Sequence, residues 1–387
     1  MTWPNVKLSD VAEIERKGIE PSSIASGTEY IGLEHIESGG VIIGRQKVSN
    51  GELASTKFAF GPHHVLYGKL RPYLAKIALP DFEGVCSTDI LPLKPGPRLD
   101  RKYLAYFLRQ PKLVDYATFR STGANLPRLS PKALSEFEIP LPSLNEQRRI
   151  ATMLEQADTL RRLRKRSIER MKELVQSIFY KMFGDPVTNP MRWDKVKLDD
   201  LCGVGSSKRV FVNEFVDNGV PFYRGTEVGK LGAGEAVEAD LFIAPEHYND
   251  LVSHSGKPNI GDLLLPSICH DGRIWKVDSD EPFYFKDGRV LWIKSHDSKI
   301  ESEYLRRHLE NIFLHNYASI ASGTTFAELK IVNLKNLSIL YPPLDLQETF
   351  SRKIRKVEAY RSKLQRSEIA FDSLFASIQQ RAFLGEL

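Results

Sequence analysis

Cysteine is scarce in this chain of 387 residues. Cys86, Cys202 and Cys269 lie far apart without a CxxC spacing, so we expect neither a disulfide framework nor a zinc site. Long apolar runs are also missing, because no stretch approaches the roughly 18 continuous apolar residues of a membrane span. The start, MTWPNVKL, lacks the basic and apolar regions of a signal peptide. We therefore expect a soluble cytoplasmic protein.

Catalytic motifs are equally scarce. The segment GVGSSKR at 203–209 lacks the GxxxxGK[ST] spacing that wraps phosphates, so a turn is the better interpretation. Asn189-Pro190 is followed by Met191-Arg192 and not by the proline and aromatic residue of adenine methyltransferases. No glycine-rich cofactor loop follows a strand. We expect neither nucleotide hydrolysis nor methyl transfer, and no cofactor.

Two loose patterns leave alternatives open. Asp81 followed by Asp100-Arg101-Lys102 fits a nuclease pattern in which acids hold a metal, but the second half of the chain lacks the lysine. His63-His64 and Cys269-His270 are possible metal ligands, yet the sequence indicates no third or fourth partner. Solvated carboxylates and ordinary loop histidines are favoured, and no metal is expected.

The most informative stretch is a long predicted helix from Glu146 to Phe183. Asn145 is its predicted N-cap, and Gly184 with Pro186 ends it. One stripe at alternating spacings of four and three has coiled-coil character: Ile150, Leu154, Ala157, Arg161, Arg164, Ile168, Met171, Val175, Ile178 and Met182. The positions 200 later form a matching stripe: Phe350, Ile354, Val357, Arg361, Leu364, Glu368, Phe371, Phe375, Ile378 and Ala382.

The repeat extends beyond the helices. WPNVKLSDV at 3–11 is echoed by WDKVKLDDL at 193–201, and KYLAYFL at 102–108 is echoed by EYLRRHL at 303–309. IPLPSLNEQ at 139–147 matches ILYPPLDLQ at 339–347. A tandem duplication is the simplest explanation.

Each half has an α+β pattern, with strands before helices. The first half predicts strands at 30–33, 41–43, 65–67 and 90–93, then helical residues 100–119 that Pro111 divides. The second half predicts strands at 221–223, 262–265 and 289–293, then a helix at 303–317. The sequence thus predicts one scaffold, used twice with different surface residues.

Charge gives only weak guidance, since a formal net charge of +5 is common among proteins without anionic partners. Several segments nevertheless interleave basic and aromatic residues, and basic side chains contact phosphates or base edges in DNA complexes. The candidate DNA-binding residues are Arg45, Lys47, Lys69, Arg71, Tyr73, Lys76, Arg128, Lys208, Arg209, Arg224, Arg273, Trp275 and Lys276. A solvated, lysine-bearing strand face remains the alternative.

The whole chain resembles the specificity subunit of type I restriction and modification systems. The resemblance rests on the W-x-x-V-K-L-x-D opening of each half, on IPLPSLNEQRRI leading into a long helix, and on the second copy of that plan. The second copy, YPPLDLQETFSRKI, departs from the motif, because Leu346 stands where Glu146 stands in the first. Its partner contact is therefore expected to differ.

The resemblance implies two target-recognition domains, 1–143 and 186–343, each reading one half of a bipartite, asymmetric site on double-stranded DNA. The helices, 144–185 and 344–387, are implied to form an antiparallel coiled coil with pseudo-two-fold symmetry that spaces the domains. Two modification subunits are implied to dock on the chain, which suggests Glu146, Gln147 and Gln347 as partner-binding residues. Restriction subunits are implied to join in the cleaving complex. This chain is then no enzyme.

A helix crossing at the middle of both stripes places Arg164 opposite Glu368, and we expect this pair to fix the helix register. A different class of function stays open, namely a non-catalytic coiled-coil scaffold whose duplicated modules bind proteins. Salt separates the two hypotheses, because DNA affinity falls steeply as salt rises.

Overall fold

The computed structural model describes residues 3–49, 51–295, 299–323 and 327–387. The chain forms two compact units. The first combines Met1–Ser167 with Leu364–Leu387, and the second is Ile168–Lys363. Each unit therefore joins one of the duplicated modules to parts of both long helices.

The first half of the chain is rich in short strands. These are β1 (Asn5–Lys7), β2 (Ala12–Ile14), β3 (Gly18–Ile19), β4 (Glu29–Ile31), β5 (Gln46–Lys47), β6 (Lys57–Phe60), β7 (Val65–Gly68), β8 (Ile77–Ala78), β9 (Gly84–Cys86), β10 (Ile90–Pro95) and β11 (Glu138–Pro140). Its helices are α1 (Arg101–Leu108), α2 (Pro111–Phe119), α3 (Pro131–Ser135) and α4 (Leu144–Phe183).

The second half follows the same order with additional helices. Its strands are β12 (Lys195–Lys197), β13 (Gly203–Gly205), β14 (Phe215–Val216), β15 (Val220–Tyr223), β16 (Phe242–Ile243), β17 (Leu263–Pro266), β18 (Trp275–Lys276), β19 (Tyr284–Phe285), β20 (Val290–Lys294) and β21 (Ser338–Leu340). Its helices are α5 (Leu198–Leu201), α6 (Gly225–Ala233), α7 (Pro245–Ser255), α8 (Ser302–Ile320), α9 (Ile331–Lys335) and α10 (Leu344–Leu384). Single turns of 3-10 helix lie at Leu8–Asp10, Pro21–Ser23, Leu33–His35, Pro72–Leu74 and Val212–Glu214.

The two modules share an inner framework. In the first, β1 pairs with β11, and the antiparallel sheet has the order β2-β10-β7-β8. In the second, β12 pairs with β21, and the equivalent sheet has the order β13-β20-β17-β18. The fold is therefore a duplicated α+β module, as the sequence predicts.

The outer sheets differ between the modules. The first has the order β3-β6-β9-β4-β5, with β4 parallel to β9. The second has the order β14-β16-β15-β19, with β15 parallel to β19, and it adds α6 and α7. The divergence predicted from the sequence is thus concentrated in the outer sheet, whereas the inner sheet is common to both modules.

Some local predictions need correction. Residues 41–43 form no strand, because Ile42 makes only an isolated bridge to Ile36. The long helix α4 begins at Leu144, so Asn145 is not its N-cap. Ser143 takes that role, since its hydroxyl accepts the Glu146 N–H at 3.4 Å. The predicted end is confirmed, because Gly184 follows the helix with a φ of 76°.

The predicted stripes of both long helices avoid full exposure. All ten positions on α4, from Ile150 to Met182, are buried or half-buried, and so are all ten on α10, from Phe350 to Ala382. Exposed residues lie between them, as expected for helices packed along one face. Within the described ranges, no helix is both long and apolar enough to cross a membrane.

In the first unit, the N-terminal part of α4 packs antiparallel against the C-terminal part of α10. Arg161 lies 3.5 Å from the Asp372 carboxylate and over the Phe375 ring. Phe383 of α10 lies in the module core, with ring centroids 5.1 Å from Tyr103 and 5.5 Å from Phe107. The last helix therefore completes the core of the first module.

In the second unit the partnership is reversed. Phe179 and Phe183, from the C-terminal part of α4, pack on Phe350 near the start of α10 and on Tyr304 of α8. These residues belong to one buried cluster. Each module core thus includes apolar side chains from both long helices.

A histidine in this second core has an unusual environment. His308 of α8 is fully buried beside Phe179 and Tyr304, and its Nε2 accepts the Leu340 N–H at 3.4 Å. Burial disfavours the imidazolium ion and lowers the pKa of His308 to about 3. The echoed position in the first module is Phe107.

We expect the second unit to lose stability as the pH falls below about 6.5, by about 1.4 kcal/mol per pH unit. The unfolded chain binds a proton at His308 in this range, whereas the folded chain does not until pH is near 3. His308→Phe, which copies the first module, should flatten this dependence. Urea denaturation between pH 7 and 5 measures it, and identical slopes for both proteins would contradict the prediction.

Candidate nucleic-acid interface

Two candidate DNA-binding segments of the first module lie side by side. These are YGKLRPYLAK at 67–76 and STGANLPRLS at 121–130. Leu70 forms a β-bridge with Arg128, and the Arg71 N–H donates to the Pro127 carbonyl at 2.7 Å. The Leu129 N–H donates to the Lys69 carbonyl at 2.9 Å. Backbone hydrogen bonds therefore join the two segments into one surface.

The turn after β7 has strained backbone geometry. Arg71 and Ala75, which flank the 3-10 turn Pro72–Leu74, have φ angles of 52° and 45°. Residues other than glycine rarely adopt this left-handed conformation. Arg71 is exposed, and Tyr73 is 51% exposed. The turn thus presents a cationic and an aromatic side chain to solvent, and strain of this kind often accompanies a binding role.

A carboxylate lies between the cations of this surface. Arg128 donates to both Asp89 oxygens, at 3.0 and 3.4 Å, and the Lys69 ammonium lies 4.0 Å from the same carboxylate. One negative charge therefore faces two positive charges. The surface formed by Lys69, Arg71 and Arg128 keeps an excess of positive charge.

The other candidates of the first module have different surroundings. Lys76 uses its ammonium group internally, donating to the Leu33 carbonyl at 2.7 Å. Arg45 is exposed and lies 4.5 Å from the centre of the Phe82 ring. Lys47 is exposed on β5, at the end of the outer sheet. Lys76 therefore holds the turn in place. Arg45, which also lies 3.7 Å from the Glu29 carboxylate, and Lys47 keep exposed side chains.

Three exposed arginines of the second module each face an acid. Arg209 lies 3.2 Å from Asp287, and Arg273 lies 2.5 Å from Asp271. Arg224 precedes α6 and pairs with Glu227 at 2.7 Å and with Asp240. The backbone N–H of exposed Lys208 donates to the Tyr284 hydroxyl. These four candidates stay at the surface, as the sequence suggested.

Trp275 and Lys276 are placed differently from the prediction. Trp275 is only 9% exposed and packs against Phe283 and Tyr223, so its ring is part of the core and is not free to stack on a base. The Lys276 ammonium lies 2.9 Å from the buried carboxylate of Glu303. Both residues therefore support the fold.

Gln147 and Gln347 also support the fold and do not lie on a surface where a partner could bind. Both are fully buried. Gln147 accepts the Asp100 N–H at 2.8 Å and donates to two carbonyls, and Gln347 accepts the Glu301 N–H at 3.0 Å. Each glutamine ties a long helix to the start of a module helix. Glu146 stays partly exposed and pairs with Arg149, which lowers the pKa of Glu146.

The helix contacts of the first unit differ from the expected register pair. Among the described residues, no ion pair joins Arg164 to Glu368, and the Arg164 guanidinium lies 5.5 Å from the centre of the Phe371 ring. The ion pair forms one turn earlier on α4, between Arg161 and Asp372. The helices pair near the expected level, but another arginine carries the salt bridge.

The histidine pair gains a third polar partner that the sequence did not indicate. Glu15, His63 and His64 bring possible ligand atoms within 4.8 Å of one another. His64 Nδ1 accepts the Gly61 N–H at 2.8 Å, so Nε2 carries the proton that Glu15 accepts at 2.9 Å. Lys94 donates to the other Glu15 oxygen. Hydrogen bonds thus use the possible ligand atoms of Glu15 and His64, and we assign no metal here.

The loose nuclease pattern is also explained by structure. Asp100 caps α1 by accepting the Tyr103 N–H at 2.9 Å. Arg101 donates to two backbone carbonyls, and Lys102 pairs with Glu155 at 2.7 Å. Asp100, Arg101 and Lys102 therefore each have a structural partner, whereas Asp81 is exposed at the surface. We assign no catalytic metal to this pattern.

Comparison with known proteins places this geometry in a family. The family model named type I restriction modification DNA specificity domain matches the sequence twice, at residues 1–173 and 190–370. The fold of a solved chain, described under complex assembly and conformational transition of the type I R-M system, is similar, with a TM-score of 0.61 and 21% identity. That match covers 100% of this chain and 98% of the other.

Curated relatives agree with the family match. The EcoDI specificity subunit of Escherichia coli is 30% identical over 210 residues, which are 53% of this chain and 46% of that relative. The MjaVIII specificity subunit of Methanocaldococcus jannaschii is 22% identical over 71% of this chain and 68% of its own length. The chain thus spans about half of the first relative's length. With both halves matched by the family model, the chain belongs to the type I restriction modification DNA specificity domain family.

Proposed function

We propose that this chain is the DNA sequence-specificity subunit of a type I restriction–modification complex. The observation that carries the proposal is the joined surface of the first module, where Lys69, Arg71 and Arg128 lie on two loops held together by backbone hydrogen bonds. Cations on fixed loops suit contacts with phosphates and base edges. In this proposal the chain supplies recognition and has no catalytic activity of its own.

We propose the same task for both modules, with different half-sites. The target-recognition domains are 1–143 and 186–343, and the long helices at 144–185 and 344–387 act as the spacer between them. The shared inner sheet gives both modules one framework, while the different outer sheets provide different surfaces. A bipartite, asymmetric site on double-stranded DNA fits such a pair of modules. Because the proposed function requires access to cellular DNA, we propose that the protein is cytoplasmic.

The proposed partners are two modification subunits, with restriction subunits joining in a cleaving complex. The names of the relatives, type I restriction enzyme specificity subunits, support this assignment. Glu146 remains a candidate contact residue because its carboxylate is partly exposed on the first turn of α4. Gln147 and Gln347 are buried, so we do not propose them as partner-binding residues.

A protein-binding scaffold is the rival function. Both hypotheses use the duplicated modules, but only DNA reading predicts that the logarithm of affinity falls linearly with the logarithm of salt concentration. A scaffold would bind its partners with mild salt dependence. A titration at several salt concentrations therefore distinguishes them.

Exchange of the second module tests the proposal. Residues 193–343 are replaced by the matching part of a relative, and the chain is expressed with its modification subunits. Methylome sequencing is expected to show a motif in which one half has changed and the other is retained. The unmodified chain is the control, and a change in both halves would contradict independent modules.

A further inference from the structure

The first module contains an ion pair between the turn before β10 and the loop at 121–130. The Lys69 N–H donates to the Asp89 carbonyl at 2.9 Å, and the Leu129 N–H donates to the Lys69 carbonyl at 2.9 Å. The backbone of Lys69 thus links the turn before β10 to the loop at 121–130. The side chains of Asp89 and Arg128 close the same junction with their ion pair.

The second module repeats this junction in its backbone. The Ser267 N–H donates to the Arg289 carbonyl at 2.8 Å, and the Leu329 N–H donates to the Ser267 carbonyl at 2.7 Å. Ser267 therefore takes the place of Lys69. The hydrogen-bond pattern makes Arg289 the equivalent of Asp89, and it makes Glu328 the equivalent of Arg128.

The charges at these equivalent positions are inverted. Asp89 pairs with Arg128 in the first module, whereas Arg289 pairs with Glu328 in the second. Both modules thus keep an ion pair at the junction, but the arginine comes from opposite loops. We call these two ion pairs the loop clasps.

In both clasps the arginine is the more exposed partner. The side chain of Arg128 is 45% exposed and that of Asp89 is 25% exposed. The values for Arg289 and Glu328 are 60% and 36%. The guanidinium group therefore remains accessible to a ligand, while the acid sits deeper and holds it.

Stability alone does not explain the clasps. Exposed ion pairs contribute little to folding because water already screens and solvates their charges. The loops are also joined by backbone hydrogen bonds, which do not depend on side-chain charge. A guanidinium group fixed by a carboxylate loses less conformational freedom when it contacts a phosphate or a guanine edge.

We propose that the loop clasps determine half-site specificity. Arg128 and Arg289 contact DNA, and Asp89 and Glu328 are positioning residues that aim them. Because the polarity is inverted, the reading arginine comes from the loop at 121–130 in the first module and from the turn before β20 in the second. This inference rests on the proposed function and names residues that distinguish the two half-sites.

Charge reversal of the first clasp tests it. The double variant Asp89→Arg with Arg128→Asp keeps an ion pair but moves the cation to the position it has in the second module. Competition binding of the full chain with its modification subunits compares the methylated site with DNA altered in one half. We expect the preference for the half-site of the first module to fall about 5- to 150-fold, with the other half-site unaffected.

An ion pair away from the loops provides the matched control. Lys102 of α1 and Glu155 of α4 lie 2.7 Å apart outside both loops and are exposed on the surface, so Lys102→Glu with Glu155→Lys should leave both preferences unchanged. If the reversed clasp keeps the original preference, the inference is overturned. If the unaltered protein shows no preference for the methylated site, the proposed function fails instead.

A milder variant covers the case in which the reversed clasp does not fold. Asp89→Asn removes the charge that aims Arg128 while keeping the size of the side chain. The ratio of specific to non-specific affinity is expected to fall, with circular dichroism and melting temperature unchanged. An unchanged ratio in this variant would also overturn the inference.

Discussion

Replacing Glu303 by glutamine is expected to destabilise the second unit by about 3–5 kcal/mol, because it removes the buried negative charge that faces three partly buried cations. Glu303 is only 3% exposed, and its carboxylate lies 2.6 Å from Arg306, 3.0 Å from Arg307 and 2.9 Å from Lys276. Burial alone would raise the pKa of this acid. Arg306, Arg307 and Lys276 outweigh that effect and hold the pKa of Glu303 well below its usual range.

The sign of this shift predicts a pH window. The ion cluster stabilises the fold above the usual glutamate pKa of about 4.5, and its contribution is lost as the pH falls below that value. Urea denaturation followed by tryptophan fluorescence reports on the second unit, since Trp193, Trp275 and Trp292 lie in it.

The control for Glu303 comes from Lys102, which occupies the equivalent position in the first module. Lys102 of the first module pairs with Glu155, and both side chains are nearly half exposed. Glu155→Gln is therefore expected to cost less than about 1 kcal/mol. A cost for Glu303→Gln as small as that of the control would show that the buried cluster is not held together by charge.

Removing two arginines from the joined loops is expected to have the largest effect on DNA binding. The double variant Arg71→Ala with Arg128→Ala should weaken DNA binding by on the order of 100-fold, because each arginine is proposed to contact a phosphate or a base edge. The slope of log affinity against log salt should become shallower by about two if both contact phosphates. Fluorescence anisotropy at several salt concentrations measures both quantities.

The matched control removes the same net charge from residues outside the two joined segments. Lys112 and Arg120 are exposed on and just after α2, and their alanine variants should change DNA affinity little. Binding to the modification subunits should persist in both double variants. An equal loss of affinity in the control would mean that only overall charge, and not the joined loops, attracts DNA.

The periodic features of the fold were predictable from sequence because their cause is local. The stripes of α4 and α10 follow from helical spacing, and Pro111 does begin a new helix, since proline suits the first helical turn. Helix α6 was not predicted because it contains three glycines and is followed by a fourth, Gly234. Close packing explains one of these glycines, because a Cβ atom on Gly232 would lie 2.8 Å from the Arg273 backbone.

The candidate site was predictable only in part. Exposed cations such as Arg71 and Arg128 stand out by composition, but the bridge that joins their loops depends on pairing between residues far apart in sequence. Trp275 resembles a stacking residue in sequence, and only its contacts reveal a core position. The role of Asp89 was not predicted because a single acidic residue forms no recognisable sequence motif. Aligning positions 89 and 128 with 289 and 328 would have revealed the inverted charges.

The assignment of Leu364–Leu387 to the first unit has a consequence for synthesis on the ribosome. The emerging N-terminal module lacks Phe375 and Phe383, so its core remains open beside Tyr103 and Phe107. The missing segment follows Ser167 by about 200 residues, or about 10–40 s at about 5–20 residues per second. The first module to be made is therefore the last to finish folding, and over that interval its unfinished core is a natural binding site for chaperones.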